Sequence, residues 1–292
     1  MLYKDKMKWY STNWKNLYKF EPKSYWKFKK DTVFDKKIQD KLSKDSIKEE
    51  LKQNKKSKTY NQTWGSRTSL SKFNSEYAKN IITFYTCKND NVLDLFAGRT
   101  RYKICKHFGR NYTGFEINEQ YILEDEKSII NDDCGNIDKY VTEKKFDCLF
   151  TCPPYWKMEV YSDKENDLSN IKTYDNFIKE YETRFEKGVK YIKENGLIII
   201  VLCDFRINGK FYSFHNDTIN IFKKLGWNLY DDIILEMNPS ARHCYYAQAI
   251  TKRRMLTTHE HCLIFHKNTD IDERKFEEDK KSKNIGGLKE WY

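Results

Sequence analysis

No part of this sequence is apolar for long. The longest uninterrupted run, Leu197 to Cys203, has seven residues, about a third of what a membrane-spanning helix needs. The first residues, MLYKDKMKWYSTNWK, alternate lysine with aromatics and contain no apolar signal core, so neither export nor membrane association is expected. The eight cysteines form no C-x-x-C pair; zinc sites favour such pairs, and scattered thiols fit a reducing compartment. His243, His259 and His261 have neither an acidic partner nor a cysteine pair to complete a site, and no metal is expected. Prolines number only four, two of them adjacent. No internal repeat is visible, and no low-complexity tract beyond a lysine bias.

What is abundant is aromatic and basic. Phe, Trp and Tyr make up 16% of 292 residues and hydrophobic residues 39%, which supports a sizeable core and excludes a wholly disordered chain. The net charge of +11 is concentrated at one end: residues 1–60 hold 18 Lys, no Arg and 8 acidic residues, leaving +1 for the rest. The same segment carries 11 aromatics, among them Trp9, Trp14 and Trp26. Lysines can neutralise phosphates while aromatic faces stack on unpaired bases. Equally, such a segment can be a solvated arm whose aromatics dock on the main domain. We divide the chain into a Lys/aromatic extension (1–60), a main domain (61–267) and a charged tail (268–292).

Within the main domain, helix-like and strand-like stretches alternate. EYAKNIITFYTC reads as helix and NVLDLFAG as a strand ending in a glycine turn. A basic helix precedes the strand YTGFEIN; a helix is expected over 118–130 before NDDC, and FDCLFT is a strand. Residues 174–194 read as helix, GLIIIVLCDF as a buried strand, and HNDTINIFKKLG as helix. The last two strands, NLYDDIILEMN and EHCLIFHK, lack a helix between them. The expected fold is therefore α/β: a mostly parallel sheet with helices on both faces and an antiparallel terminal hairpin.

In such sheets ligands bind at the carboxyl ends of the strands. Asp94-Leu95-Phe96-Ala97-Gly98 is a strand end entering a glycine turn, followed by a helix whose first N–H groups face the crevice. Glu116 follows at the end of the next strand, where an acid can accept from both ribose hydroxyls. Asp133, beside Cys134, ends the third strand and is placed to hold an adenine amino group. Cys152-Pro153-Pro154-Tyr155 follows an apolar strand. Neither proline supplies an N–H, so the strand stops in a rigid turn with outward carbonyls and an aromatic ring beyond. Carbonyl acceptors and a stacking ring suit an exocyclic amine on an extruded base.

On these residues the sequence resembles the amino-directed DNA methyltransferases, which act on adenine N6 or cytosine N4. The family's catalytic string, a strand then Asp, Asn or Ser, Pro-Pro and an aromatic, reads TCPPYW here, and its D-x-F-x-G cofactor turn reads DLFAG. CPPYWKMEVYSDKENDLSN further resembles a subgroup common in phage and prophage genomes. The resemblance spans about residues 64–267 and implies a Rossmann-like class I methyltransferase using S-adenosylmethionine. It implies that Asp94, Phe96, Ala97, Gly98, Glu116, Asp133 and Cys134 bind this cofactor. Thr68, Ser69 and Phe73, from SRTSLSKF, would close over its methionine end. Cys152, Pro153, Pro154 and Tyr155 would form the catalytic turn. The implied partner is duplex DNA with a flipped base, in the cytoplasm of a bacterium or phage-infected cell. A homodimer is left open, and no partner nuclease is identifiable.

Two departures stand out. The family's second turn glycine is missing: Gly98 is followed by Arg99-Thr100-Arg101, which would either crowd the cofactor or reach its carboxylate or a DNA phosphate. The first catalytic position is Cys152, a weak acceptor, which shifts weight to the Pro153 carbonyl. A cytosine-C5 mechanism needs the cysteine after the proline; here it precedes Pro153. Between the last two strands, residues 238–259 form a basic insert without an acid. Arg242, Lys252, Arg253 and Arg254 are candidates for phosphates, and Tyr245 and Gln248 for bases. In the loop after the catalytic turn, Asp163, Asp167 and Ser169 are candidates for the target base. RNA as the methylated polymer, or a silent nucleic-acid-binding module on the same fold, are the alternatives.

Overall fold

Continuous apolar runs become central strands because a strand covered on both faces has no solvent side to make polar. The computed structural model describes residues 20–27, 73–122, 127–237 and 245–267. Along the chain come β1 (Tyr25–Trp26), α1 (Ser75–Tyr85), β2 (Asn91–Asp94), α2 (Arg99–His107), β3 (Asn111–Phe115), β4 (Ile129–Ile130) and β5 (Phe146–Thr151). Then follow α3 (Tyr174–Val189), β6 (Ile192–Leu202), β7 (Phe205–Ile207), β8 (Lys210–Tyr212), α4 (Phe214–Lys224), β9 (Asn228–Glu236), α5 (Tyr246–Thr251) and β10 (His259–His266).

Eight strands form one sheet in the order β1-β9-β10-β6-β5-β2-β3-β4. From β6 to β4 all neighbours are parallel, whereas β10 runs antiparallel to both β6 and β9. The chain builds outward from β2 through β3 to β4, then crosses back to place β5 and β6 on the other side. The crevice at the carboxyl ends of β2 and β5 is thus the switch point, where such sheets bind ligands.

Alternation along β6 shows how both faces are covered. Ile198 and Ile200 join the core that holds Phe177, Tyr181 and Phe185 of α3 with Phe214 and Phe222 of α4. Ile199 and Val201 point the other way, towards Ala78, Ile81 and Ile82 of α1 and Ile104 of α2. The four-residue spacing of the α3 aromatics lines one face of that helix, and each fully buried ring stabilises by about 1.5–3 kcal/mol. α1 starts where the Asn74 side chain accepts from Tyr77 N at 3.1 Å, satisfying one of the first-turn donors.

Four elements differ from the sequence expectation. A short helix, α5, stands between β9 and β10, where no helix was expected. The helix expected over 118–130 gives way to a 3-10 turn at Glu119–Tyr121 and to β4, where Ile129 and Ile130 pair with Gly114 and Phe115; residues 123–126 lie outside the described residues. The pairing is favoured because two β-branched residues extend the parallel sheet beside β3. The helix expected over 174–194 ends at Val189, because Ile192 pairs with Phe146 and strand starts there. The β7–β8 hairpin was not expected; it turns on Asn208 (φ +51°) and Gly209 (φ +85°), the residue pair that two-residue hairpin turns favour.

Part of the lysine-rich extension docks on the sheet. β1 pairs in parallel with β9 through Tyr25↔Ile234 and Trp26↔Leu235. The Trp26 ring is buried against Phe20 and Tyr77, and its carbonyl accepts from Tyr77 Oη at 3.0 Å. Of the two readings of that segment, docking of aromatics describes residues 20–27. Its remaining residues, the tail 268–292, and Thr68, Ser69 and Arg242 lie outside the described residues.

Candidate active site

The site grows from the end of β2. Asp94 is fully buried, and its carboxylate accepts from Thr151 Oγ1 (2.6 Å), Tyr112 Oη (2.7 Å) and Phe96 N (3.1 Å). Arg101 Nε donates to it at 2.6 Å, and Arg101 Nη2 donates to the Phe96 carbonyl at 2.5 Å. Arg101 is thus buried and turned inward against Asp94 and Phe96. Its guanidinium lies 2.9 Å from where a Cβ on Gly98 would sit and faces the Phe73 ring at 5.5 Å. Burial lowers the Arg101 pKa, but the charge of Asp94, the nearby Cys152 and Tyr112 and the hydrogen bond to Asp94 together outweigh it, and the net direction is upward. One buried ion pair therefore fixes the turn from Phe96 to Gly98.

The turn also needs a glycine on the neighbouring strand. Ala97 N donates to the Phe115 carbonyl at 2.7 Å, which draws the turn over β3. A Cβ on Gly114 would meet the Ala97 Cβ at 2.8 Å and the Tyr112 ring at 2.7 Å. Only glycine permits that approach.

Glu116 stands at the end of β3 beside this turn. One oxygen accepts from Asn118 N at 2.8 Å. Burial pushes its carboxyl up to about 7, which is how an acid behaves in a dry crevice. Asp133 is differently placed. It caps the 3-10 segment Cys134–Lys139 through Gly135 N (2.8 Å), and it accepts from Arg184 Nε (3.1 Å), Arg184 Nη2 (2.8 Å) and Asn166 Nδ2 (3.0 Å). Sequence reading missed Arg184, which lies mid-helix in α3 with no local signal. Cys134 is buried, which drives its thiol pKa upward.

The second turn leaves β5 immediately beside the first. Thr151 ends the strand and Cys152-Pro153-Pro154-Tyr155 follows. Trp156 then takes φ +48°, uncommon for a bulky residue. Its buried ring packs on Tyr174 and Tyr212, and its Nε1 donates to the Ile171 carbonyl at 2.7 Å. Anchored this way, Trp156 fixes the end of the turn and leaves Tyr155 half-buried at its edge. Cys152 alone among the described cysteines is not fully buried. Burial nevertheless pushes its thiol up to about 12, so it is protonated near neutrality and unsuited to nucleophilic attack. Cys152 Sγ lies 3.5 Å from Tyr155 Oη, which donates to Glu260 Oε1 at 3.1 Å. Glu260, on β10, was also missed.

Around the crevice, the loop after the catalytic turn is self-contained. Asp167 accepts from Ser162 Oγ, Ser169 N and Ser169 Oγ, all within 2.8 Å, and Asp167 and Ser169 are buried. Those two side chains hold the loop rather than face a base. Asn118 Nδ2 and Lys164 Nζ donate to the Tyr161 and Ile117 carbonyls, tying the loop to the end of β3.

Across the catalytic turn, the insert between β9 and β10 emerges from the same sheet edge. Tyr245, Gln248, Lys252 and Arg253 are exposed there, whereas Arg254 is half-buried and donates to Gln248 Oε1 at 2.9 Å. Of the three histidines considered from sequence, His261 does find an acidic partner, Asp232 at 3.1 Å from its Nδ1, and His215, not considered there, lies 2.8 Å from Asp204 through its own Nδ1. The two rings stack at 4.2 Å and 6°. Asp204, His215 and His261 bring three ligand-type atoms within 4.8 Å of one another, a juxtaposition the sequence spacing did not announce.

No helix of the described residues is long and apolar enough to cross a membrane. A family model described as DNA methylase, for N6 and N4 methyltransferases, matches residues 2–127 and 146–290. No curated protein matches the chain. Solved structures similar to it include a protein of Thermus thermophilus assigned as a DNA modification methylase. That similarity has 20% identity over 48% of this chain and 52% of that one, with a TM-score of 0.36. The PvuII cytosine-N4-specific DNA methyltransferase matches at 15% identity over 48% and 49%, TM-score 0.37. A TehB-like SAM-dependent methyltransferase of Corynebacterium glutamicum matches at 12% identity over 65% and 87%, TM-score 0.40. The chain spans about half the length of the first two.

Proposed function

Because the chain belongs to the N6/N4 DNA methylase family, we propose that it methylates an exocyclic amine, adenine N6 or cytosine N4, of a base flipped out of duplex DNA, using S-adenosylmethionine. The observation that carries this reading is the juxtaposition of the Cys152–Tyr155 turn with the Gly98 turn, bridged by the Thr151 hydroxyl on Asp94. The residues present fit the cofactor: Glu116 offers a desolvated carboxylate oxygen for the ribose diol beside a turn narrowed to glycine. When bound, the cofactor supplies an electrophilic methyl group on a sulfonium.

The chain's own part is positioning. The Pro153 carbonyl and Cys152 Sγ accept the amine hydrogens and turn its lone pair outward. The Tyr155 ring, held at its hydroxyl by Glu260, stacks on the base. Lys252 and Arg253 hold phosphates, with Tyr245 beside them to meet bases. The TCPPYW and DLS strings support assignment to the phage and prophage subgroup.

One observation favours a second reading. The Asp94 and Asp133 carboxylates already hold internal arginines, as they would in a nucleic-acid-binding module that has lost its cofactor. Duplex DNA incubated with protein and S-adenosylmethionine, then digested to nucleosides for mass spectrometry, separates the two. N6-methyladenine or N4-methylcytosine is expected, and it should vanish with Pro153→Ala. Methylation of RNA alone would change the polymer. No cofactor binding by calorimetry, with DNA binding intact, would establish the silent module.

A further inference from the structure

We propose that Glu260 makes Cys152 a usable acceptor for the target amine by setting the direction of a hydrogen-bond chain through Tyr155. This rests on the reading that Cys152 faces that amine. A thiol can donate or accept, and as an acceptor it is weak. It gains an acceptor role only if its single hydrogen is committed elsewhere.

The geometry commits it. An ionised carboxylate can only accept, so Tyr155 must donate its hydroxyl hydrogen to Glu260 Oε1 across 3.1 Å. Tyr155 Oη is then left with lone pairs towards Cys152 Sγ at 3.5 Å. The only hydrogen available for that contact is the thiol's own. Cys152 therefore donates to Tyr155, Tyr155 donates to Glu260, and the sulfur is left with lone pairs alone. Chains aligned in one direction also polarise each member, which strengthens a poor acceptor. Burial of Cys152 and of Tyr155 keeps both groups protonated, so the chain is made of neutral donors ending on one acid. Glu260 acts through Tyr155 and is a positioning residue.

The replacement Glu260→Gln keeps the shape but removes the direction, because an amide can donate to Tyr155 Oη as well as accept. Two measurements test the chain. The first is the infrared S–H stretch of Cys152, isolated as the difference between the wild type and Cys152→Asn in the protein without cofactor. The band is expected at the low frequency of a donating thiol, and it should move to that of a free thiol in Glu260→Gln and in Tyr155→Phe. A band that moves in Tyr155→Phe but stays in Glu260→Gln would overturn the proposal.

The second is steady-state methylation. Glu260→Gln should lower kcat about tenfold, the worth of one hydrogen bond of about 1.4 kcal/mol, with KM for DNA unchanged. In the Cys152→Asn background, where an amide carbonyl accepts without help, the same change should cost less than about twofold. Equal losses in both backgrounds would assign Glu260 a structural role and sink the idea. Adding Glu260→Gln to Tyr155→Phe should cost nothing more; additive losses would be as damaging. A wild type that methylates no amine would refute the proposed function while leaving the infrared result to judge the chain.

Discussion

Replacing Glu116 by Gln should stabilise the ligand-free protein at pH 8 while weakening its hold on the cofactor. The carboxyl rises from an ordinary 4.5 to about 7 because the crevice desolvates it. At pH 8 the folded state therefore holds an ionised group that would be about 3 kcal/mol better off in water. The sign follows from proton binding. Between pH 4.5 and about 7 the folded carboxyl keeps a proton that the unfolded one has released. Stability falls as pH rises through that window, and the full penalty stands above it. Glutamine carries no charge to desolvate, and its amide oxygen can still accept from Asn118 N. Weakening that charge-assisted bond offsets about 1 kcal/mol, which leaves a net gain of about 2 kcal/mol at pH 8. At pH 5 the wild-type carboxyl is largely protonated and the gain should disappear. Urea denaturation at the two pH values, followed by tryptophan fluorescence, gives both numbers directly. Calorimetry should show S-adenosylmethionine bound about tenfold more weakly by the variant. A midpoint at pH 8 equal to that of the wild type, or an equal difference at both pH values, would refute the desolvation argument.

Other substitutions test other parts of the site. Arg101→Met leaves Asp94 charged and buried without its guanidinium; it should cost about 3–5 kcal/mol in urea denaturation, and a loss below about 1 kcal/mol would mean the pair does not hold the turn. Gly114→Ala should cost about 1–3 kcal/mol by overpacking, since its Cβ would lie 2.8 Å from that of Ala97; an unchanged Tm would show that the turn can rise off β3. Lys252→Gln combined with Arg253→Gln should flatten the log–log salt dependence of DNA binding by about 1.8, at about 0.9 per lost phosphate contact. Fluorescence anisotropy over a salt series measures it, and an unchanged slope would remove the insert from the DNA interface.

The parts of the site legible in the sequence are those that local backbone rules enforce. A glycine after a strand and two prolines after another have few conformations open to them, so DLFAG and CPPY announce their turns without help from the rest of the chain. The alternation of apolar runs with helical stretches gave the layered sheet for the same reason. What sequence reading missed depends on partners brought together from afar. Arg184 reaches Asp133 across 51 positions and Glu260 reaches Tyr155 across 105, and no spacing rule connects them. Arg101 was seen only as crowding the cofactor or reaching its carboxylate or a phosphate, because the buried acid that holds it lies seven positions back on another element. Asp167 and Ser169 were assigned to a base although Asp-x-Ser before a short turn is also a capping pattern. The Asn208-Gly209 hairpin carried a usable signal, but its strands have only three residues each, too short for a period to show. β1 is shorter still.

That short strand bears on the order in which the molecule is assembled during synthesis. Tyr25 and Trp26 precede their partners Ile234 and Leu235 by roughly 200 residues, and loop closure over such lengths is slow. Until then Trp26 has no pocket on β9, and lysines around it keep the waiting segment soluble and apart from other nascent chains. Its docking covers the outer edge of β9, which would otherwise offer unpaired backbone groups to a neighbour. The charge crowded into residues 1–60 thus bears on folding as well as on any contact with a polyanion.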